Sequence, residues 1–181
     1  MAKYEVLHTV SLKNNTVLQT QELPELVHLD DPARFVMTDF WQTPPHTISP
    51  SATMDKAISD MEIIGTHLLM VIDEARHFQG VICSEDVWGE KPIQFIQERR
   101  MQRDQLLVEM MMVPHKDIIA LDASTLENVC VGNIVKTLMH YKQHYAVVVS
   151  SSVDHDQQII RGIFTIAQIS KQLHQDLLSE F

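Results

Sequence analysis

The stretch Gly80-Val-Ile-Cys-Ser-Glu-Asp-Val87 returns as Gly162-Ile-Phe-Thr-Ile-Ala-Gln-Ile169, and that recurrence decides how the chain is read. Each octet opens with a glycine and two apolar residues and closes on an apolar residue. Each follows an apolar run: Gly65-Thr-His-Leu-Leu-Met-Val-Ile-Asp73 in the first case, Gln143-His-Tyr-Ala-Val-Val-Val-Ser-Ser151 in the second. Runs without polar alternation suit strands covered on both faces. Upstream of each pair lies a helical segment, Thr53-Met-Asp-Lys-Ala-Ile-Ser-Asp-Met61 and a longer one from Thr125-Leu-Glu127 through Ile134-Val-Lys-Thr-Leu-Met139. The two glycines lie 82 positions apart, so the repeat is a half-protein unit and not a short solenoid repeat. Two copies of one unit predict pseudo-two-fold packing, with any functional cleft between them.

Around this frame the organisation can be traced. The chain divides into an N-terminal extension (1–30), a first repeat (31–91), a linker helix (92–107) and a second repeat (108–181). The extension holds one strand-like stretch, Tyr4-Glu-Val-Leu-His-Thr-Val-Ser-Leu12, before a polar turn. The first repeat opens near Phe35-Val-Met-Thr38, and Pro44-Pro45 leads to a short strand, His46-Thr-Ile-Ser49. Thr53 is the predicted N-cap of a helix whose apolar face carries Met54, Ala57, Ile58 and Met61, and Gly65 ends it. Strands follow at Leu68-Leu-Met-Val-Ile72 and Phe78-Gln-Gly-Val-Ile-Cys83, and Ser84 is the predicted cap of a second helix. Pro92 begins the linker helix, Ile93 to about Leu107. The second repeat is enlarged around Cys130-Val-Gly-Asn133 and in the turn from Ser150 to Gln158.

Bulk properties exclude several classes. The 181 residues are 45% hydrophobic and 21% charged, a globular composition that is incompatible with wholesale disorder. A formal net charge of −10 disfavours a general nucleic-acid grip, and Arg99, Arg100 and Arg103 read as the solvated face of a helix. The first residues lack the apolar core of a signal peptide, and no apolar run reaches membrane length. Cys83 and Cys130 sit in apolar stretches without metal-ligand spacing, which predicts free thiols in a reducing cytoplasm. Of the ten histidines, His67, His140, His144, His155 and His174 are nominal metal ligands. Only His140 and His144 share helical spacing, and their span crosses the predicted helix end, so no metal is expected. Met110-Met-Met112 reads as adaptable core packing. There is no nucleophile elbow, Gly-rich phosphate loop or zinc-protease helix, and no enzyme is predicted.

The repeated unit resembles a cystathionine-β-synthase (CBS) domain, and the chain resembles a tandem CBS pair, or Bateman module. The matching residues in the first copy are Val36-Met-Thr38, Ser49-Pro-Ser-Ala-Thr53, the run from Gly65 and the octet from Gly80. In the second they are Val108-Glu-Met-Met-Met-Val113, Asp122-Ala-Ser-Thr-Leu126, Ala146-Val-Val-Val149 and the octet from Gly162. The resemblance implies an α+β, α/β-type sandwich of two strand-helix-strand-strand-helix repeats packed about a pseudo-two-fold axis. It further implies a regulatory module that binds AMP or another adenosyl ligand between the copies and signals to an effector protein. Pairs of such modules commonly associate through helices into a disc, which implies a homodimer here, with Met54, Ile58, Ile134 and Leu138 as candidate contacts. Neither nucleic acid nor membrane is an expected partner.

In that family a Thr or Ser, followed three positions later by an Asp, opens the last helix of each copy, and the acid meets the ribose hydroxyls. The chemistry is direct: a carboxylate accepts two hydroxyl hydrogens, and a helix N-terminus offers free N–H groups. The first copy has Cys83 at the hydroxyl position and keeps the acid as Asp86, whereas the second keeps Thr165 and replaces the acid with Gln168. The expected ligand cleft is therefore the one around Asp86. Thr38 and Thr47 would offer hydroxyls there, and the Leu68 and Leu69 backbone would read the base. Lys56, Arg76, Lys116 and Arg161 are the expected cations for a phosphate. Asp86 also sits where a carboxylate serves the helix dipole. The alternative reading is a ligand-free dimeric scaffold with degenerate nucleotide sites.

Overall fold

In a computed structural model that describes residues 24–151, 158–175 and 177, the chain forms two four-stranded sheets. The first half contributes β1 (Thr38–Asp39), β2 (Thr47–Ile48), α1 (Met54–Ile64), β3 (Leu68–Ile72), β4 (Phe78–Cys83), α2 (Ser84–Trp88) and α3 (Glu90–Arg99). The second contributes α4 (Val108–Met111), β5 (Val113–Pro114), β6 (Ala120–Asp122), α5 (Val131–Tyr141), β7 (Tyr145–Ser151), β8 (Gln158–Thr165) and α6 (Ile166–Leu173). The strand predicted at 4–12, His155 and most of the enlarged turn lie outside the described residues.

The sheets run β1-β8-β7-β6 and β2-β3-β4-β5. Matching each strand with its counterpart in the other half turns one order into the other, which is the pseudo-two-fold relation the repeat predicts. The edge strands are exchanged. β1 precedes the first repeat's helices yet pairs antiparallel with β8 of the second, Thr38 opposite Ile163. β5 of the second half pairs with β4 of the first, Val113 opposite Val81. This crossing explains the signature glycines. A Cβ on Gly162 would stand 2.5 Å from the Thr38 carbonyl oxygen, and one on Gly80 would collide with the Val113 carbonyl oxygen. Glycine is required where a crossing backbone passes this close.

The apolar runs are strands because both faces are covered. Successive side chains point to opposite faces. Leu69, Val71 and Ile82 therefore enter a core with Met54, Ala57 and Met61 of α1. Ala146, Val148 and Phe164 enter a second core with Ile134, Val135 and Leu138 of α5 and Ile166 and Ile169 of α6. The alternate residues, Met70, Val81, Tyr145, Val147 and Ile163, pack the two sheets against each other. Full burial of one such aliphatic side chain contributes about 1.5–3 kcal/mol.

Local chemistry explains the element ends and several differences from expectation. Thr53 Oγ1 accepts the Lys56 N–H, and Gly65 closes α1 with φ 74°. The cap of α2 is Cys83 and not Ser84, which is the first helical residue. The linker helix starts at Glu90, with Pro92 inside its first turn, and stops at Arg99, where Arg100 adopts φ 51°. A short 3-10 turn, Arg103–Gln105, follows in place of continued helix. Thr125 lies in a 3-10 turn, Ala123–Asn128, and α5 begins only at Val131, so Cys130-Val-Gly-Asn133 opens the helix and does not enlarge the segment before it. Met54, Ile134 and Leu138 are buried inside the chain and cannot form the dimer contact. On the helices, Ile63 of α1 at 81%, Trp88 of α2 at 64%, Tyr141 of α5 at 59% and Ile93 of α3 at 58% are exposed apolar side chains.

Candidate functional site

A cavity of about 550 Å³ lies between the repeats. The exchanged edge explains its position. β1 sets Thr38 beside Ile163 of β8, so the loop through Phe40, Pro44, Pro45 and His46 faces the start of α6. The opposite wall comes from Gly65, Thr66, His67, Leu68 and Met70, with Cys83 and Glu85 beyond. The second repeat supplies His144, Tyr145, Thr165, Ile166, Ala167, Gln168 and Lys171.

Five sequence-nominated residues line this cavity: Thr38, Leu68, Cys83, Thr165 and Gln168. Three do not. Thr47 is exposed on β2, Leu69 is fully buried in the first core, and Asp86 is turned to its own helix. The Asp86 carboxylate Oδ2 accepts from the Cys83 backbone N–H at 3.2 Å and from its Sγ at 3.0 Å. Lys91 Nζ reaches the other oxygen at 3.3 Å. The residue is only 8% exposed. Of the two residues at the position of the family acid, Gln168 lines the cavity and Asp86 does not.

The physical reason lies in how the two helices are capped. Cysteine is a weak cap, so at α2 the acid three residues on reaches back to hold the Cys83 N–H, the reciprocal half of a capping box. At α6, Thr165 Oγ1 accepts the Gln168 N–H at 3.2 Å and caps the helix itself. The Gln168 side chain makes no capping bond to the Thr165 N–H among the described residues. Its Nε2 donates to Gln172 Oε1 at 2.9 Å, and its Oε1 makes no hydrogen bond among the described residues.

The cavity's charge is sparse. Among the described residues, Lys171 is the one lysine or arginine in its lining and Glu85 the one carboxylate, with His46, His67 and His144 beside them. None of the four expected phosphate cations lines it. Lys56 pairs with Asp60 at 2.8 Å, and Arg161 pairs with Asp39 at 3.0 Å while stacking 3.4 Å over the Trp41 ring. Burial first, then the Asp86 charge, pushes the Cys83 thiol far up, so it stands in the wall as a neutral thiol. Burial likewise raises the Tyr145 phenol, which stays protonated. Among the described residues no cluster of three or more metal-ligating side chains forms, and no helix is long and apolar enough to cross a membrane.

The residues missed from sequence were chiefly Lys171, Phe40, Tyr145 and Ile163. Lys171 had a readable signal, since it follows Gln168 by three positions on one helix face. The others depend on the strand exchange, which no local pattern announces.

Comparison with known proteins agrees with this architecture. Residues 34–87 match the family model of the CBS domain. No curated protein matches the sequence. Among solved structures, an uncharacterized conserved protein from Pyrococcus horikoshii aligns at 17% identity and TM-score 0.58, over 83% of this chain and 98% of its own. CBSX2 from Arabidopsis thaliana, in a structure with AMP, aligns at 18% identity and TM-score 0.52, over 78% and 94%. The CBS domain of a bacterial CNNM/CorC family Mg2+ transporter, in complex with ATP, aligns at 17% and 0.54, over 81% and 90%. By its fold the chain is a tandem CBS pair, and the CBS family model matches its first copy.

Proposed function

We propose that the chain is a regulatory module that binds an adenosine-containing ligand between its repeats and reports occupancy to a partner protein. The observation that carries this reading is the cavity of about 550 Å³ at Thr165 and Gln168, within the range typical of small-molecule sites. Thr165 and the Gln168 oxygen are the groups suited to ribose hydroxyls. Phe40, Met70, Ile163 and Ile166 supply apolar surface for the base, and Lys171 suits one phosphate. A single lysine against Glu85 favours adenosine or AMP over a polyphosphate. The two similar structures described with AMP and ATP support the ligand class.

Calorimetry with adenosine, AMP, ATP and S-adenosylmethionine tests the reading. AMP should bind, and Lys171→Ala should weaken AMP by about three- to tenfold while leaving adenosine unchanged. Gln168→Leu should weaken both. The competing reading, a dimeric scaffold without ligand, draws on the engagement of Asp86 with its own helix. Absence of heat and of any melting shift at millimolar concentrations of all four compounds would establish that scaffold instead. Homodimerisation is part of both readings. Trp88 and Ile93, exposed beside half-buried Ile58, replace the buried contact candidates, and light scattering returning a monomer mass would refute it.

A further inference from the structure

Behind the cavity wall sits a polar side chain that the ligand reading does not use. Gln172, on α6, is 4% exposed, and its amide is fully committed. Its Oε1 accepts from Gln168 Nε2 at 2.9 Å. Its Nε2 donates both hydrogens, to the Pro24 carbonyl at 2.6 Å and the Phe35 carbonyl at 3.1 Å. Its backbone carbonyl accepts the Val27 N–H at 2.9 Å. One residue therefore clamps residues 24–36 at three points and the cavity's own Gln168 at a fourth.

The donor and acceptor count makes this arrangement specific. With both Gln172 hydrogens given to carbonyls, its oxygen can be satisfied only by a donor. An amide at position 168 supplies one, whereas a carboxylate there would face Gln172 Oε1 with no hydrogen to share. Gln168 donating inward also leaves its own oxygen as the group it can offer a ligand. Valine 27, alanine 33 and valine 36 are buried in the core of the second repeat, so the clamped segment is packed and not a loose tail.

We propose that Gln172 is the positioning residue of this cavity, holding Gln168 with its oxygen free for a ligand and joining it to residues 24–36. The cavity wall and the entry to the N-terminal segment then respond as one unit. The ligand half of this inference rests on the proposed function, whereas the joining half stands without it.

Two measurements on the full chain separate the halves. Amide hydrogen exchange without ligand should show Gln168→Leu accelerating Val27 by about three- to tenfold, the loss of one buried hydrogen bond in the relay, although the Gln168 side chain makes no hydrogen bond to residues 24–36. Exchange in α1, in the other repeat, should not change, which distinguishes the relay from general loosening. The Gln168→Leu, Gln172→Leu double variant should be no faster at Val27 than Gln172→Leu alone. Unchanged Val27 exchange in Gln168→Leu, or additive effects in the double variant, would overturn the joining role. With adenosine as probe, Gln172→Leu should lose affinity although it does not line the cavity. Gln172→Glu, which still accepts from Gln168 but, protonated in this buried place, donates to only one of the two carbonyls, should lose less affinity than Gln172→Leu while Val27 exchanges faster. Equal losses in both variants would overturn the positioning role. If adenosine fails to bind even the unaltered chain, the binding reading and the positioning role fall together, and exchange still decides the joining role.

Discussion

Replacing Asp86 with alanine separates a carboxylate that holds a helix from one that holds a ligand. The structure gives it two partners at Cys83 and one at Lys91. Removing the carboxylate leaves the half-buried Cys83 N–H without its acceptor, a cost of about 1–3 kcal/mol. The lost capping box belongs to that same bond and is not counted again. The Lys91 pair adds little, about 0–1 kcal/mol, because Lys91 is 62% exposed and solvent screens it. The expected loss is therefore about 2 kcal/mol of stability, read as a lower urea midpoint with unchanged slope. In a chain of this size that lowers the melting temperature by about 4–8 °C. Adenosine affinity, measured at a temperature where the variant stays folded, should not change. Asp86→Asn, which keeps an acceptor oxygen, should recover part of the loss. An Asp86→Ala protein with the original urea midpoint and tenfold weaker adenosine binding would refute the reasoning and return the ligand site to the first repeat.

Other outcomes follow from the same geometry. Gly80→Ala and Gly162→Ala should each destabilise by about 3 kcal/mol in urea titrations, since the added Cβ meets the backbone of the exchanged strand. Gly65→Ala should cost only about 1 kcal/mol, because its left-handed φ is strained but the space is open. The Cys83 thiol, its pKa raised by burial and then by Asp86, should alkylate far more slowly than a free thiol at pH 8. The same shift sets a pH dependence: its contribution is fully present below the unfolded thiol value of about 8.5 and is lost as pH rises beyond it, visible as a falling urea midpoint. The Ser124 hydroxyl and backbone N–H hold the Asp122 carboxyl below the usual range, so its NMR titration should have a midpoint under about 3.9.

Why the strands were legible and the site only half so comes down to range. Leu68–Ile72 and Phe78–Cys83 were readable because burial on both faces leaves its mark on consecutive residues. The glycines were readable as a signature, yet their cause was not. Two-residue strands carry no periodicity, and the partners of Gly80 and Gly162 come from the opposite repeat. Knowing that exchange would have placed Phe40 and Thr38 against α6 rather than among the first repeat's own strands. The engagement of Asp86 with its own helix is hidden for a different reason. A carboxylate three residues into a helix serves a ligand and a backbone N–H equally well in sequence, so the sequence does not tell which of them Asp86 meets. The deciding residue is its neighbour at the cap. A cysteine leaves the helix start short of an acceptor, so the acid is spent locally. At α6 the Thr165 hydroxyl caps the Gln168 N–H, and the Gln168 amide turns to Gln172. The two departures from the family pattern, Cys83 in one copy and Gln168 in the other, therefore leave different local arrangements. In the first copy the acid is engaged with the start of its own helix, and in the second an amide lines the cavity and is hydrogen-bonded from behind by Gln172.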